Sequence, residues 1–406
     1  MHIYLFSPIR YESLHQRPQK LAEQFLAKGV RVTFVQPTGF RDLRYEQRPC
    51  LFVLQSIFFH LAGVLLSMLS IHPRRRKPKR GVGELEVVSL PVTLPHNRFN
   101  APFLEAWNAA VFRYILLSRI LADDGEAPVA FVEHPFWGKV VKRTDFRIIC
   151  YDCLDDLSLF AGNASLERFT RYESRLIELA DTLIVTAEKL EQQLRVRTTK
   201  GICRIPNGVD YEWFQEQAQR AEVPPECAAL PRPIVGYVGM IAGWMDYDMV
   251  ATVAQKLTHV AFVFVGPLED SSRLTQLARV PNIHWINRKP YADIPSFIQS
   301  FDACIIPFRA GAIAATTNPV KVFEYFALGK PVVTTELEEL KTFVREGLLH
   351  MAASPEEFAQ ALVASLHEDD PTLRQRRQET ARLHCWRRHA ESILDAIEHA
   401  RGTASC

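Results

Sequence analysis

Short apolar runs rich in Val, Ile and Phe recur through most of this 406-residue chain, and stretches of helical periodicity lie between most of them. That alternation constrains the fold more than any other feature, because strands buried on both faces read as continuous apolar runs and parallel strands need helical crossovers. In the first half the strand-like runs are residues 3–6, 30–35, 87–90, 129–133, 148–151 and 183–185. Residues 17–28 have a helical pattern with Leu21, Ala22 and Phe25 on one face, stopped by Gly29. A second series runs through 234–238, 261–265, 283–286, 303–306 and 331–334. The expected fold is α/β, with two Rossmann-like domains whose parallel sheets face a central cleft. The domains are placed at 1–207 and 208–382. A final segment, 383–406, reads as an amphipathic helix with Trp386, Ile393, Leu394 and Ile397 on its apolar side, crossing back to the first domain. The two series meet at Ile205-Pro206-Asn207-Gly208-Val209-Asp210, where Asn-Gly forces a turn. Residues 223–233, with Pro224, Pro225, Pro231 and Pro233, read as a linker between the domains.

Composition narrows the class. Apolar residues make up 48% and charged residues 23%, the balance of a folded chain rather than a disordered one. A net charge of +2 gives no global case for nucleic acid. The eight cysteines are scattered, and Cys150, Cys203, Cys304 and Cys385 sit among apolar neighbours, which reads as buried, reduced thiols in a cytosolic protein. Cys150 and Cys153 form a C-x-x-C without the second pair a metal site needs. The opening residues have no basic lead-in and read as a buried strand rather than a secretion signal.

The most informative stretch runs from Pro307 to Val333. A strand end leads through Arg309 and a small-residue loop to Thr316-Thr317-Asn318-Pro319, then into a helix carrying Lys321 and Glu324. A helix start offers free N–H groups and the positive end of the dipole to a diphosphate. Lys321 in the first turn adds a mobile cation, and Glu324, three residues on and on the same face, can accept from the two hydroxyls of a ribose.

This stretch resembles the nucleotide-sugar site of retaining glycosyltransferases of the GT-B fold, family 4 in particular. It is most similar to members of the polysaccharide and teichuronic-acid type with an Asn-Pro-x-Lys-x-x-Glu-Tyr signature. Residues 206–210 resemble that family's interdomain motif, Gly236-Tyr237-Val238-Gly239 its opening of the second domain, and 301–307 the strand before its donor loop. Residues 14–22 resemble its first helix, and the helix with Trp386 its returning terminal segment. The resemblance implies a transferase moving a sugar from a UDP- or GDP-linked donor to a polysaccharide, glycolipid or lipid-linked acceptor, with retention and without metal or resident cofactor. It places Glu324 on the ribose, Lys321 or Arg309 on the diphosphate, Asn318 and Thr317 on phosphate or sugar, and the loop 287–289 with Arg288 around the base. Gly239 falls on the donor side. Thr316 stands where the family carries the first of two glutamates, and the basic pair expected after Gly239 is missing. Arg309, Lys321 or Arg17 must then neutralise the leaving diphosphate, since cations aimed at developing charge lower the barrier. In the first half, His134 follows a strand and is expected to face the transferred sugar. Arg17, Asp155 and Asp156 lie on the expected acceptor side; a helix cap is the other reading of the two aspartates. Two alternatives remain open: a sugar-nucleotide epimerase of this fold, and a non-catalytic partner of a membrane polysaccharide synthase.

Residues 51–71 carry no charge, roughly 31 Å as a helix, and are followed by Arg74, Arg75, Arg76, Lys77, Lys79 and Arg80. A spanning helix would split the first sheet across the bilayer. The expectation is therefore a helix lying in the interface of the inner leaflet, with the cations on anionic headgroups, in a peripheral cytoplasmic protein.

Overall fold

In a computed structural model, the described residues are 1–13, 15–37, 83–91, 102–121, 128–156, 163–269, 279–368 and 370–403, with isolated positions between them. The chain divides into two compact units. The first comprises Met1–Val185, Glu191–Arg204 and Ala390–Cys406; the second comprises Thr186–Leu190 and Ile205–His389.

The first unit is built on strands β1 (His2–Phe6), β2 (Arg31–Pro37), β3 (Leu85–Leu90), β4 (Val129–Val132), β5 (Ile148–Cys153), β6 (Thr182–Val185) and β7 (Ile202–Arg204). They form one parallel sheet in the order β3-β2-β1-β4-β5-β6-β7. The second unit repeats the plan with β8 (Ile234–Val238), β9 (Ala261–Val265), β10 (Ile283–Ile286), β11 (Ala303–Ile306), β12 (Val332–Thr334) and β13 (His350–Met351). Their order is β10-β9-β8-β11-β12-β13, again all parallel. The central strands are buried along their whole length, which is why their apolar runs are continuous; β3, at an edge, alternates instead.

Both sheets wind outward from their first strand, then return to add the fourth strand on the other side. In such sheets the order reverses at a crevice outside the carboxyl ends of the two central strands, where ligands bind. The crevices fall between β1 and β4 and between β8 and β11. The two Rossmann-like parallel sheets are those expected of the GT-B architecture.

Three expectations need correction. Residues 223–233 are no linker: they lie inside the second unit, with a short helix Pro225–Ala228 whose Cys227 is buried in its core. The final helix begins at Trp386 rather than 383. The preceding helix Pro371–Leu383 ends with Leu383 exposed, and Cys385 then bridges to Val209 in parallel register. Trp386, Ile393 and Ile397 are buried as expected, whereas Leu394 is only half-buried. Cys203, read as buried, is exposed on the edge strand β7; Cys150, Cys304 and Cys385 are buried and free. The insertion at 51–80 lies outside the described residues apart from Leu61, Ala62 and Val64. Among the described residues no helix is long and apolar enough to cross a membrane.

Candidate functional site

In the second unit, β8 ends at Gly239, whose φ of 151° favours glycine. The next strand, β9, ends the same way at Gly266. A Cβ on Gly266 would stand 1.9 Å from the Gly239 carbonyl oxygen, and a Cβ on Gly239 would stand 3.1 Å from Cε of Lys321. Both turns therefore need glycine: a side chain at Gly266 would strike the Gly239 backbone, and one at Gly239 would crowd Tyr237 Oη at 2.9 Å as well as Lys321. Across the reversal, β11 leads to Arg309, which is exposed; its N–H donates to the Trp244 carbonyl at 2.7 Å. Among the described residues Arg309 makes no ion pair.

The chain then forms a short helix, Ala312–Thr316, and a longer one, Val320–Ala327, entered through Asn318 and Pro319. No side chain caps the second helix; the Val322 N–H donates to the Pro319 carbonyl at 3.3 Å, and the Val320 and Lys321 N–H groups keep their capacity for an outside acceptor. Lys321 Nζ donates to Glu324 Oε2 at 2.9 Å, and Glu324 is 2% exposed while Lys321 keeps about a quarter of its side chain in solvent (26%). Among the described residues Glu324 Oε1 accepts no hydrogen bond, which leaves it for an incoming hydroxyl. The structure therefore brings Gly239, Lys321 and Glu324 together.

Other expected donor residues have local duties. Thr316 is buried and donates to the Ala312 and Ile313 carbonyls at 3.2 and 3.3 Å, and Thr317 donates to Ile313 at 2.7 Å. Asn318 Oδ1 accepts from the Asn207 N–H at 3.0 Å, and Asn207 Nδ2 donates to the Asn318 carbonyl at 2.7 Å. The Asn-Gly turn read as a domain marker thus splints the entrance to the Val320–Ala327 helix. Arg288 is exposed beyond β10, and its neighbour Lys289 is drawn into an ion pair with Glu226.

In the first unit the crevice between β1 and β4 has a different character. Arg17 opens the helix Arg17–Ala27, but it is 3% exposed and its guanidinium grips Asp152 near the end of β5 with two bonds, at 2.8 and 3.0 Å. Its charge is balanced by that carboxylate, so it is neither a surface charge nor an idle cation. Beside this pair stands Glu133, missed in the sequence because it closes an apolar run. It is 3% exposed, and neither carboxyl oxygen has a hydrogen-bond partner. Burial pushes its pKa well above the ordinary value, the Asp152 charge adds to the shift, and Arg17 opposes it, so the crevice favours the protonated carboxyl.

His134 follows directly. Its Nδ1 accepts from the Phe136 N–H at 3.1 Å, capping the turn Pro135–Lys139, which places the ring proton on Nε2. Burial lowers its pKa to about 4, so the imidazole is neutral near pH 7. The ring packs edge-on against Phe169 at 5.6 Å rather than against Trp137, which is wholly buried against Phe6 and Phe112. Asp155 and Asp156 follow β5. Burial raises the Asp155 pKa, helped by the Asp156 charge, and Asp156 accepts from Gln193 at 2.9 Å.

Comparison with known proteins adds three findings. Residues 232–368 match the family described as "Glycosyl transferases group 1". Over 258 residues, 59% of this chain, the sequence is 26% identical to a Bacillus subtilis (strain 168) protein named "Putative teichuronic acid biosynthesis glycosyltransferase TuaH". The match spans 64% of that relative's length. Among solved structures, an E. coli trehalose-6-phosphate structure bound with UDP-2-fluoro glucose superposes with a TM-score of 0.68 at 12% identity, over 98% of this chain and 99% of that one. The α,α-trehalose 6-phosphate synthase of Burkholderia multivorans gives 0.66 at 11% identity, over 100% and 99%. At those identities the likeness speaks for the fold alone.

Proposed function

We propose, from the premise that the second unit of this chain carries a group 1 glycosyltransferase domain, that the protein moves a sugar from a nucleoside-diphosphate donor to a glycan, glycolipid or lipid-linked acceptor. The reading includes retention at the anomeric carbon and no metal or resident cofactor. The observation that carries it is the Lys321–Glu324 pair at an uncapped helix start beside the glycine turn of Gly239.

The chemistry follows from what those groups can do. Breaking the anomeric bond leaves a nucleoside diphosphate with added negative charge. The first-turn N–H groups of Val320–Ala327, Lys321 and the exposed Arg309 supply positive potential for it. The bare backbone of Gly239 lets the second phosphate approach closely. Glu324 holds Lys321 through Oε2, and its Oε1 accepts from a ribose hydroxyl of the donor. His134, neutral with its proton on Nε2, donates to a hydroxyl of the transferred sugar. Thr316 and Thr317 serve the donor loop by bracing its backbone. The UDP sugar in a protein of similar fold and the envelope polymer in a relative's name support a UDP-linked donor and a cell-envelope acceptor. An enzyme meeting a lipid-linked acceptor works at a membrane, and the apolar and basic residues 51–80 suit peripheral attachment to the inner leaflet.

The test is turnover of UDP-, GDP- and ADP-linked sugars by the full chain with a lipid-linked oligosaccharide acceptor. The expected result is release of one nucleoside diphosphate that persists in a chelator, with the product keeping the donor's anomeric configuration by NMR. Failure of every donor to react or bind sinks the reading.

A further inference from the structure

The helix Pro102–Ile120 in the first unit is apolar on both sides. Its inner side is conventional: Asn108, Phe112, Ile115 and Leu116 are buried. Its outer side carries Phe103, Trp107 and Tyr114, with Leu121 just beyond its end, and these are 71%, 55%, 62% and 80% exposed. At about 100° per residue these positions, with Ala110 between them, fall within a roughly 60° arc, so they form one stripe. Single exposed apolar residues are ordinary, but a contiguous stripe of large ones marks an interaction surface.

What lies beside the stripe decides the partner. An open cavity of about 490 Å³ adjoins it, with Tyr114 and Leu117 of the helix on one side and Lys139, Lys142 and Arg175 on the other. Arg113 also lines it, and none of the described lining residues is acidic. Arg113 is held by Asp145 through two bonds of 2.8 Å, and Lys139 sits 4.9 Å from the Tyr172 ring centroid. Among the described residues Lys142 and Arg175 make no ion pair, so the cavity keeps net positive charge. Aromatic side chains with polar tips settle at the headgroup level of a bilayer, and cations beside them meet anionic phosphates.

We infer that the outer face of Pro102–Ile120, with the cations of the adjoining cavity, docks on the surface of an anionic lipid bilayer, the helix lying in the plane of the interface. The inference stands on this helix and its neighbours. It needs neither the insertion 51–80 nor sugar transfer. The aromatic stripe sets depth, and Lys142 and Arg175 set lipid selectivity; neutral lipid offers the stripe a home but nothing for the cavity.

Vesicle co-sedimentation of the full chain tests it without donor or acceptor present, so its outcome is independent of the transferase reading. Vesicles of phosphatidylcholine are compared with vesicles of equal parts phosphatidylcholine and phosphatidylglycerol. Two variants are used: the aromatic pair Trp107→Ser with Tyr114→Ser, and the charge pair Lys142→Glu with Arg175→Glu. All four positions lie on this outer surface, and equal melting temperatures check folding. The wild type is expected to partition onto the anionic vesicles, with a loss of about tenfold or more in each variant and a steep salt dependence that the charge pair flattens. Absence of wild-type binding, unchanged binding in both variants, or equal binding to neutral vesicles overturns the inference. So does a wild type that pairs in solution through this face, seen as dimers that the aromatic pair dissolves, while ignoring vesicles.

Discussion

At the carboxyl ends of β8 and β11 the charged groups remain reachable: Arg309 is exposed, Lys321 partly so, and Gly239 sets bare backbone beside Lys321. At the ends of β1 and β4 the charges are folded inward and cancelled. Arg17 and Asp152 neutralise each other, burial favours the protonated form of Glu133, and His134 is neutral. The strand order is the same in both sheets, so topology fixes where the chemistry sits and side chains decide its sign. The second unit presents a site suited to an anion. The first presents neutral hydrogen-bonding groups suited to hydroxyls.

Four substitutions can break or sharpen that contrast. Arg17→Ala has the largest expected effect, because it strands the Asp152 carboxylate and Glu133 in a dry crevice. Losing one partner of a buried pair costs about 3–5 kcal/mol, read as a fall in denaturant midpoint with most of the loss in stability. Lys321→Ala removes a cation from the developing charge of the leaving group. Turnover is expected to fall by about a hundredfold, with a smaller loss of melting temperature because Glu324 loses its ion-pair partner. A variant with full activity would show that the anion is met elsewhere.

Glu133→Gln tests the neutral crevice through pH. With its folded pKa raised, Glu133 contributes stability that is fully present below its ordinary value of 4.5 and is lost as pH rises above it. The amide cannot ionise. The variant should therefore match the wild type near pH 4.5 and gain on it steadily toward alkaline pH in thermal melts. A gap independent of pH would mean that the carboxyl is ionised in the fold. Thr316→Ala has the smallest effect: the hydroxyl braces its own helix turn, so about 1 kcal/mol of stability goes and turnover stays within about twofold. A large loss of turnover would put that hydroxyl on the donor.

The sequence shows the central strands plainly, because burial on both faces leaves no alternation to confuse, and it shows the helix start at Asn318-Pro319. The edge strands β7 and β13 escape it. Ile202–Arg204 has only one apolar side chain beside an exposed Cys203, and His350–Met351 is two residues long. Prolines at 223–233 read as a linker, although such residues also suit a short helix that tucks one cysteine into a core. The Arg17–Asp152 pair joins residues 135 apart, and no local pattern announces it. The Pro102–Ile120 face is hidden for the opposite reason. A helix with large apolar side chains on both its inner and outer sides has no single apolar face to show which side is outermost.

The most direct measurement is calorimetric titration of the full chain with UDP, GDP and ADP, repeated on Lys321→Ala and Glu324→Gln. The account predicts that one nucleoside diphosphate binds at a single site, and that each substitution weakens it by about tenfold or more, as expected for losing a charge-assisted bond. Binding of equal strength in all three proteins, or none in the wild type, would contradict it.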